Sequence, residues 1–265
     1  RGPLRSRPPD AILDDARRLA AAGVREIDLI AQDTAAYGTD IALPCGPAEL
    51  VRRLSEIDVP WVRMLYAHPA HVSGDLIAAL RESGNAARYL DVPIQHIDDR
   101  VLSAMGRRTT GAGIERLLGT LRESVPGITI RSTVMVGFPG EGEREFERLI
   151  AFLESGLIDY LGVFEFSPEE GTPAARLGPP VPDGVARRRA ERVLALMEGM
   201  AERRGRELVG QERTVLVDEC GGECAGRLEG QAWEMDGRVL IPGGRLSPGN
   251  FARVRIESVE GFDLV

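Results

Sequence analysis

Apolar residues along this chain change their spacing from three-to-four to two and back, and each change marks an element. Residues 128–141, ITIRSTVMVGFPGE, read as a buried strand running into a glycine-rich turn and then a helix. Ile128, Ile130, Val134 and Val136 supply β-branched positions for a strand enclosed by helices, and Gly137, Pro139 and Gly140 end it. Upstream, Ile12, Ala16, Leu19 and Ala20 form one helical face, with Asp10 as the expected N-cap and Gly23 as the C-cap. There follow a strand over 24–31, a helix over 47–57 and a strand over 61–67. A helix over 72–83, a strand over 89–94 and a helix over 112–124 come next. Beyond the central strand lie a helix over 143–155 and a strand over 160–166. This alternation predicts an α/β fold with parallel strands, either a partial barrel or an open sheet. Five strands are counted, and the chain opens on a helix fed by an Arg- and Pro-rich run, so a further strand is expected before Arg1.

A Pro- and Gly-rich connector follows residue 166 and suits a semi-rigid crossing. A long helix over 183–206 carries Val193, Leu194, Met197 and Met200 on one side. Then the pattern shortens to alternating segments at 214–217, 226–232, 239–241, 251–256 and 262–265, separated by Gly-Gly and Asp-Gly turns. Five short strands in so short a span predict a small all-β barrel of the OB-like kind. The expected domains are therefore 1–205 and 206–265.

Composition narrows this picture without adding a function. The 265 residues are 43% hydrophobic, enough for a substantial core, and carry a net charge of −8. All 33 basic residues are Arg. No apolar run approaches the roughly 20 residues that span a bilayer, and no signal pattern opens the chain, so a cytoplasmic soluble protein without membrane contact is expected. Three cysteines, Cys45, Cys220 and Cys224, are too few for a disulfide framework, which favours a reducing compartment. Cys220 and Cys224 flank a Gly-Gly centre and read as a hairpin tip rather than a metal site, and Cys45 as a lone loop thiol.

Each strand of the first domain ends in polar residues. Gln32 and Asp33 follow the first, Tyr66 and His68 the second, Gln95 and His96 the third, Arg131 and Thr133 the fourth, Glu165 the fifth. Singly, each has an ordinary structural reading as a cap, a rim histidine or an ion-pair partner. Together they describe a pocket ringed by hydrogen-bonding groups at a barrel mouth. The turn GFPGE, with Gly137 and Gly140, offers backbone N–H groups and a helix N-terminus for a carboxylate or ribose-phosphate group, but by itself that signal is weak and a simple tight turn is the better reading. There is no triad, Walker loop or dinucleotide fingerprint.

The runs RGPLRSRPP, AQDTAAYG, YLDVPIQHIDDRVLSAMGR, RSTVMVGFPGE and FSPEEGTPAARL, in order over essentially the whole chain, resemble the radical S-adenosylmethionine methylthiotransferases. PIQH, and RST before GFPGE, are similar to the branch that modifies an aspartate of protein twelve of the small ribosomal subunit. The tail, GRLEGQAWEMDGRVLI with a final DLV, resembles the TRAM domain of that branch. The resemblance implies a partial radical-SAM-type barrel followed by a TRAM barrel, S-adenosylmethionine as cofactor, and two 4Fe-4S clusters. One cluster cleaves the cofactor to a radical that abstracts hydrogen from the substrate; the other delivers sulfur. It also implies an electron donor and a ribosomal protein as partners. Thiolate ligands for either cluster are not met by these three cysteines; the resemblance places the cluster cysteines upstream of Arg1 and assigns no metal ligand here.

Carried over by the matched motifs, Gln95, His96, Arg131 and Thr133 are the expected S-adenosylmethionine contacts. Gln32, Asp33 and Glu165 are expected to position cofactor or substrate, with Gly137 and Gly140 in the turn beneath. Replacing Arg131 with Ala is expected to weaken cofactor binding and leave the fold intact. Gly142 stands where the family usually has Thr, which weakens a helix cap.

Charge separates the branches independently. Residues 206–265 hold seven Arg against eleven Asp and Glu, a net charge of −4, whereas a nucleic-acid binder needs a basic patch. An acidic barrel suits a basic protein partner. The alternatives are a tRNA adenosine methylthiotransferase of the same superfamily, and a non-catalytic module that binds a ribosomal protein.

Overall fold

The computed structural model describes residues 2–41, 45–178, 181–243 and 246–265. Its first part runs α1 (Pro9–Ala21), β1 (Glu26–Leu29), α2 (Pro47–Leu54), β2 (Trp61–Met64), α3 (Gly74–Glu82), β3 (Ala86–Asp91), α4 (Asp99–Ala104), α5 (Gly111–Ser124), β4 (Thr129–Val136), α6 (Glu143–Leu153) and β5 (Tyr160–Glu165). The five strands pair in the order β1-β2-β3-β4-β5, all parallel. A sheet in which every crossover moves one strand onward is a barrel segment, since a doubly wound sheet reverses its order at a switch point.

Small departures from the sequence reading have local causes. α1 begins at Pro9, whose missing N–H costs nothing in a first turn, so Asp10 lies inside that turn and does not cap it. β3 starts and ends three residues earlier than expected. Pro93 has no N–H for the ladder, and beyond it only Gln95 rejoins β4, through a single bridge to Val134. α4 has too few residues for periodicity to reveal and is fixed by Asp98, whose carboxylate accepts from the amides of Arg100 and Val101.

One face of the sheet is apolar apart from buried Ser132, whose hydroxyl donates to the Val92 carbonyl and accepts from the Ile94 amide. Leu90, Ile130, Val134 and Val136 pack there against Leu76, Ile114, Leu118 and Leu149 from the helices, all at most 1% exposed. Each such side chain is stabilised by roughly 1.5–3 kcal/mol on burial, so this layer alone holds the strand-helix units together.

α7 (Asp183–Leu208) follows and packs Ala190, Val193 and Met197 into the core of the first part. The second part runs through β6 (Glu212–Cys220), β7 (Cys224–Arg227), β8 (Val239–Ile241), β9 (Phe251–Arg255), β10 (Val259–Glu260) and β11 (Asp263–Leu264). These form a six-stranded sheet, one strand more than the sequence suggested, in the order β10-β11-β8-β7-β6-β9. Register places Cys220 opposite Cys224 with Cα atoms 4.1 Å apart, and the two are joined by a disulfide. The hairpin tip expected there is present, and it is closed by a disulfide that the cysteine count did not suggest: alternation alone does not show which residues face each other across a hairpin. Cys45 is a buried free thiol beside Leu13 and Leu50.

The expected strand over 226–232 stops at Arg227, because the chain then leaves its sheet and lies as a strap on the concave face of the first one. The Leu228 amide donates to Gln231 Oε1, and the Gln231 amide to the Leu228 carbonyl, closing the turn. Ala232 and Met235 pack on Leu65, Ala87 and Tyr89. Gly230 sits so close to β4 that a Cβ there would lie 2.4 Å from Thr129 Oγ1, which is why the strap needs glycine at this point.

Charge fastens the strap. Arg63, fully buried on β2, donates through Nε to Glu26 Oε1 at 2.7 Å and through Nη1 to the Glu229 carbonyl at 2.9 Å, and stacks over the Tyr89 ring. Arg227 pairs with the second oxygen of Glu26 at 2.6 Å and grips Asp218 with two hydrogen bonds. Asp28 lies 3.7 Å from Arg63, and burial, followed by the neighbouring Glu26, pushes its carboxyl above the usual range. Among the described residues no helix is long and apolar enough to cross a membrane.

Removing one partner of a buried pair leaves the other charge unpaired, at a cost of about 3–5 kcal/mol. Arg63→Ala is therefore expected to lower stability by that amount in urea denaturation. An unchanged midpoint would show that the strap does not depend on this cation.

Candidate cofactor site

The strap covers the concave face near the beginnings of the strands and leaves their carboxyl ends open. A cavity of about 490 Å³ lies there, lined by Ala31, Gln32, Tyr66, His68, Pro93, Gln95 and Arg107. It draws on the loops after β1, β2 and β3 and on the turn after α4. Two of its residues, Tyr66 (φ 57°) and Gln95 (φ 67°), hold a left-handed backbone that non-glycine residues seldom adopt. Such strain persists where surrounding contacts impose it, commonly at ligand sites. For Gln95 the contacts are visible: its amide donates to the Thr133 carbonyl and its carbonyl accepts from the Met135 amide, both at 2.8 Å. For Tyr66, the amide is drawn to Asp91 Oδ2 at 3.2 Å.

Asp33 stands behind this wall. Its carboxylate caps the turn over Thr34–Ala36 by accepting from the Ala35 amide, and also accepts from the His68 amide at 3.0 Å. Its other oxygen contacts His71 Nδ1. Asp33 is thus committed to shaping the loops. His68 Nδ1 accepts from the Ala70 amide, and burial, with a smaller contribution from Arg107, holds the ring below the ordinary histidine value.

Arg107 was missed in the sequence reading. Gly106 (φ 72°) follows α4, and the Arg107 amide bonds back to the Leu102 carbonyl, turning the side chain toward the cavity. Its Nη1 is buried without a hydrogen-bond partner, and burial lowers the guanidinium's pKa from the ordinary value against the opposing pull of Asp33. The available signal was MGRR directly after a short helix, a pattern that propensity cannot distinguish from an ordinary C-cap.

The remaining expected site residues do not line this cavity. His96 is fully buried: Nδ1 accepts from the Asp98 amide at 2.9 Å, so the neutral ring carries its proton on Nε2, which has no partner. Arg131 lies within β4, not at its end. Its Nη1 reaches Asp91 Oδ1 at 3.2 Å and Thr133 Oγ1 at 3.3 Å, while Nε faces Asp236 Oδ1 of the strap at 3.4 Å. Burial, the largest influence on this guanidinium, opposes its charge, yet Asp91, Tyr89 and Asp236 raise its pKa overall. Truncating Arg131 would take the shared cation from Asp91 and Asp236, so a loss of stability is expected alongside any loss of cofactor binding in Arg131→Ala.

Glu165 ends β5 on an exposed position. Gly137 (φ 81°) and Gly140 (φ 89°) do form the tight turn, but its amides are already taken. Gly137 N and Phe138 N both donate to Glu141 Oε2, and Glu141 Oε1 accepts from Arg189 at 3.0 Å. The turn binds its own carboxylate and does not offer those two amides to a ligand. Gly142 begins α6 without a side-chain cap, and Glu145 reaches back to its amide at 3.0 Å.

No group of three His, Cys, Asp or Glu suited to a metal ion occurs among the described residues. Cys45 lies in the first part of the chain and Cys220 with Cys224 in the second sheet, so the three thiols do not fit a cluster.

A family model described as the radical SAM superfamily matches residues 1–153, and one described as the TRAM domain matches residues 209–265. The chain belongs to the radical SAM superfamily. Over its whole length it is 45% identical to a protein of Desulforudis audaxviator, 42% to one of Syntrophobacter fumaroxidans and 41% to one of Geobacter sulfurreducens. All three are named ribosomal protein uS12 methylthiotransferase RimO. The chain spans about three fifths of the length of these relatives. Coproporphyrinogen III oxidase of Escherichia coli, a radical SAM enzyme, shares the fold: TM-score 0.53 at 14% identity, covering 83% of this chain and 60% of that one.

Burial depresses His96 from 6.5 to about 4, against the pull of Asp98 and Glu145. The unfolded chain then takes up a proton near pH 6.5 that the folded one refuses. The stability that follows is present above pH 6.5 and lost as pH falls toward 4, roughly 3 kcal/mol in all. His96→Gln should flatten the fall in unfolding free energy between pH 7 and 5. Equal slopes for the two proteins would show that His96 titrates normally.

Proposed function

We propose that this chain provides the S-adenosylmethionine pocket and the substrate-facing barrel of an enzyme that methylthiolates an aspartate of a small-subunit ribosomal protein. The observation that carries the reading is the cavity at the strand carboxyl ends, in a superfamily whose name specifies the cofactor. Its volume falls in the range of about 300–1,000 Å³ usual for ligand sites, and the orphaned Arg107 Nη1 supports a polar occupant. The names of the similar proteins support the ribosomal substrate.

In this reading Ala31 and Pro93 give an apolar wall, Gln32 and Gln95 direct amide groups to the cofactor's polar edges, and Asp33 and Asp91 hold the loops that carry them. Thr133 and Arg131 support the floor from β4. Bound there, S-adenosylmethionine supplies hydrogen abstraction from the substrate carbon and a methyl group for sulfur. The described residues offer no thiolate set that would hold an iron-sulfur cluster. The acidic second sheet faces a basic protein, and an electron donor completes the set of partners.

The test uses the full-length protein with its clusters reconstituted, S-adenosylmethionine, a reductant, and either the ribosomal protein or tRNA. Mass spectrometry is expected to find one added methylthio group on an aspartate peptide and none on tRNA nucleosides. Modified adenosine with unmodified peptide would overturn the assignment.

A further inference from the structure

The cavity is lined by a cation, Arg107, that no carboxylate contacts among the described residues. Nearly every other buried arginine in the protein has such a partner, as Arg63, Arg131, Arg189 and Arg227 show. Leaving a guanidinium half-buried and unpaired is costly, and that cost is offset when an anion enters. The nearest acid, Asp33, is already engaged by two amides and His71. His68, whose charged form is disfavoured by burial and by Arg107 itself, does not add a second cation.

We propose that Arg107 is the carboxylate receptor of this site. One planar guanidinium matches one carboxylate by paired N–H···O bonds. A dianionic phosphate would leave excess negative charge facing Asp33, so a monoanion fits the local balance better. Under the function proposed above, on which this inference rests, two partners present such a group: the methionyl carboxylate of S-adenosylmethionine and the side chain of the substrate aspartate. Tyr66 and Gln95, held in left-handed backbone by their contacts, line the same cavity, so the receptor works against a fixed surface.

The test is calorimetry on the full-length, cluster-loaded protein and its Arg107→Gln and Arg107→Lys variants. The probes are S-adenosylmethionine, a peptide carrying the target aspartate, and the same peptide with asparagine. Loss of a charge-assisted pair should weaken binding roughly 10- to 100-fold, with partial recovery in Arg107→Lys. A loss confined to S-adenosylmethionine assigns the receptor to the cofactor. A loss confined to the aspartate peptide, bringing it level with the asparagine peptide, assigns it to the substrate. If the wild type binds both ligands and Arg107→Gln binds them equally well, the receptor is refuted while the proposed function stands. If the wild type binds neither ligand, the proposed function fails and the receptor with it.

Discussion

The structure depends on a set of buried arginine-carboxylate contacts between two sheets that the chain forms separately. Glu26 is shared by Arg63 of β2 and Arg227 at the end of β7, and Arg131 bridges Asp91 of β3 to Asp236 of the strap. Tyr89 adds a neutral link, donating to Asp236 at 2.8 Å. A parallel sheet is usually buried on both faces, and here the second face is closed only partway. The strap seals the half of the concave face where the strands begin. The half where they end stays open, which is where ligands bind in such folds.

That division decides what each polar residue does. Asp91 and Arg131 lie at the boundary between strap and opening, so their charges are largely committed to holding the two sheets together. Asp33, His96 and Glu141 accept from backbone amides of the surrounding loops, and Asp33 and Glu141 also engage the side chains of His71 and Arg189. They shape loops at the barrel mouth without projecting into it. What remains for a ligand is a smaller group of side chains on the loops after β1, β2 and β3, joined by Arg107.

The strand-helix alternation was legible because the apolar face repeats at fixed periods, and the five parallel strands fall close to the expected ranges 24–31, 61–67, 89–94, 128–136 and 160–166. The switch to a small β domain was equally visible from the short segments and turns. The strap was not: Ala232 and Met235 look like strand residues until the partner surface of Leu65, Ala87 and Tyr89 is known. The site was half legible. Polar residues at strand ends signalled a pocket, and Gln32 and Gln95 do meet there. Whether a polar residue faces the cavity or satisfies its neighbours is a matter of side-chain direction, and no spacing rule distinguishes Gln95 from the adjoining His96. Arg107 sits on a turn after a six-residue helix, outside any strand end, and pattern gives it no weight.

The most direct measurement is hydrogen exchange on the full-length, cluster-loaded protein with and without S-adenosylmethionine. Binding at the open end predicts added protection in the segments around Gln32, Tyr66, Gln95 and Arg107, with the strap from Leu228 to Asp236 unchanged. A second cavity of about 580 Å³ lies at the opposite end, between Trp61, Arg88, Thr129 and the second sheet. Protection appearing there and in the strap, with the strand carboxyl ends unaffected, would contradict the placement of the site.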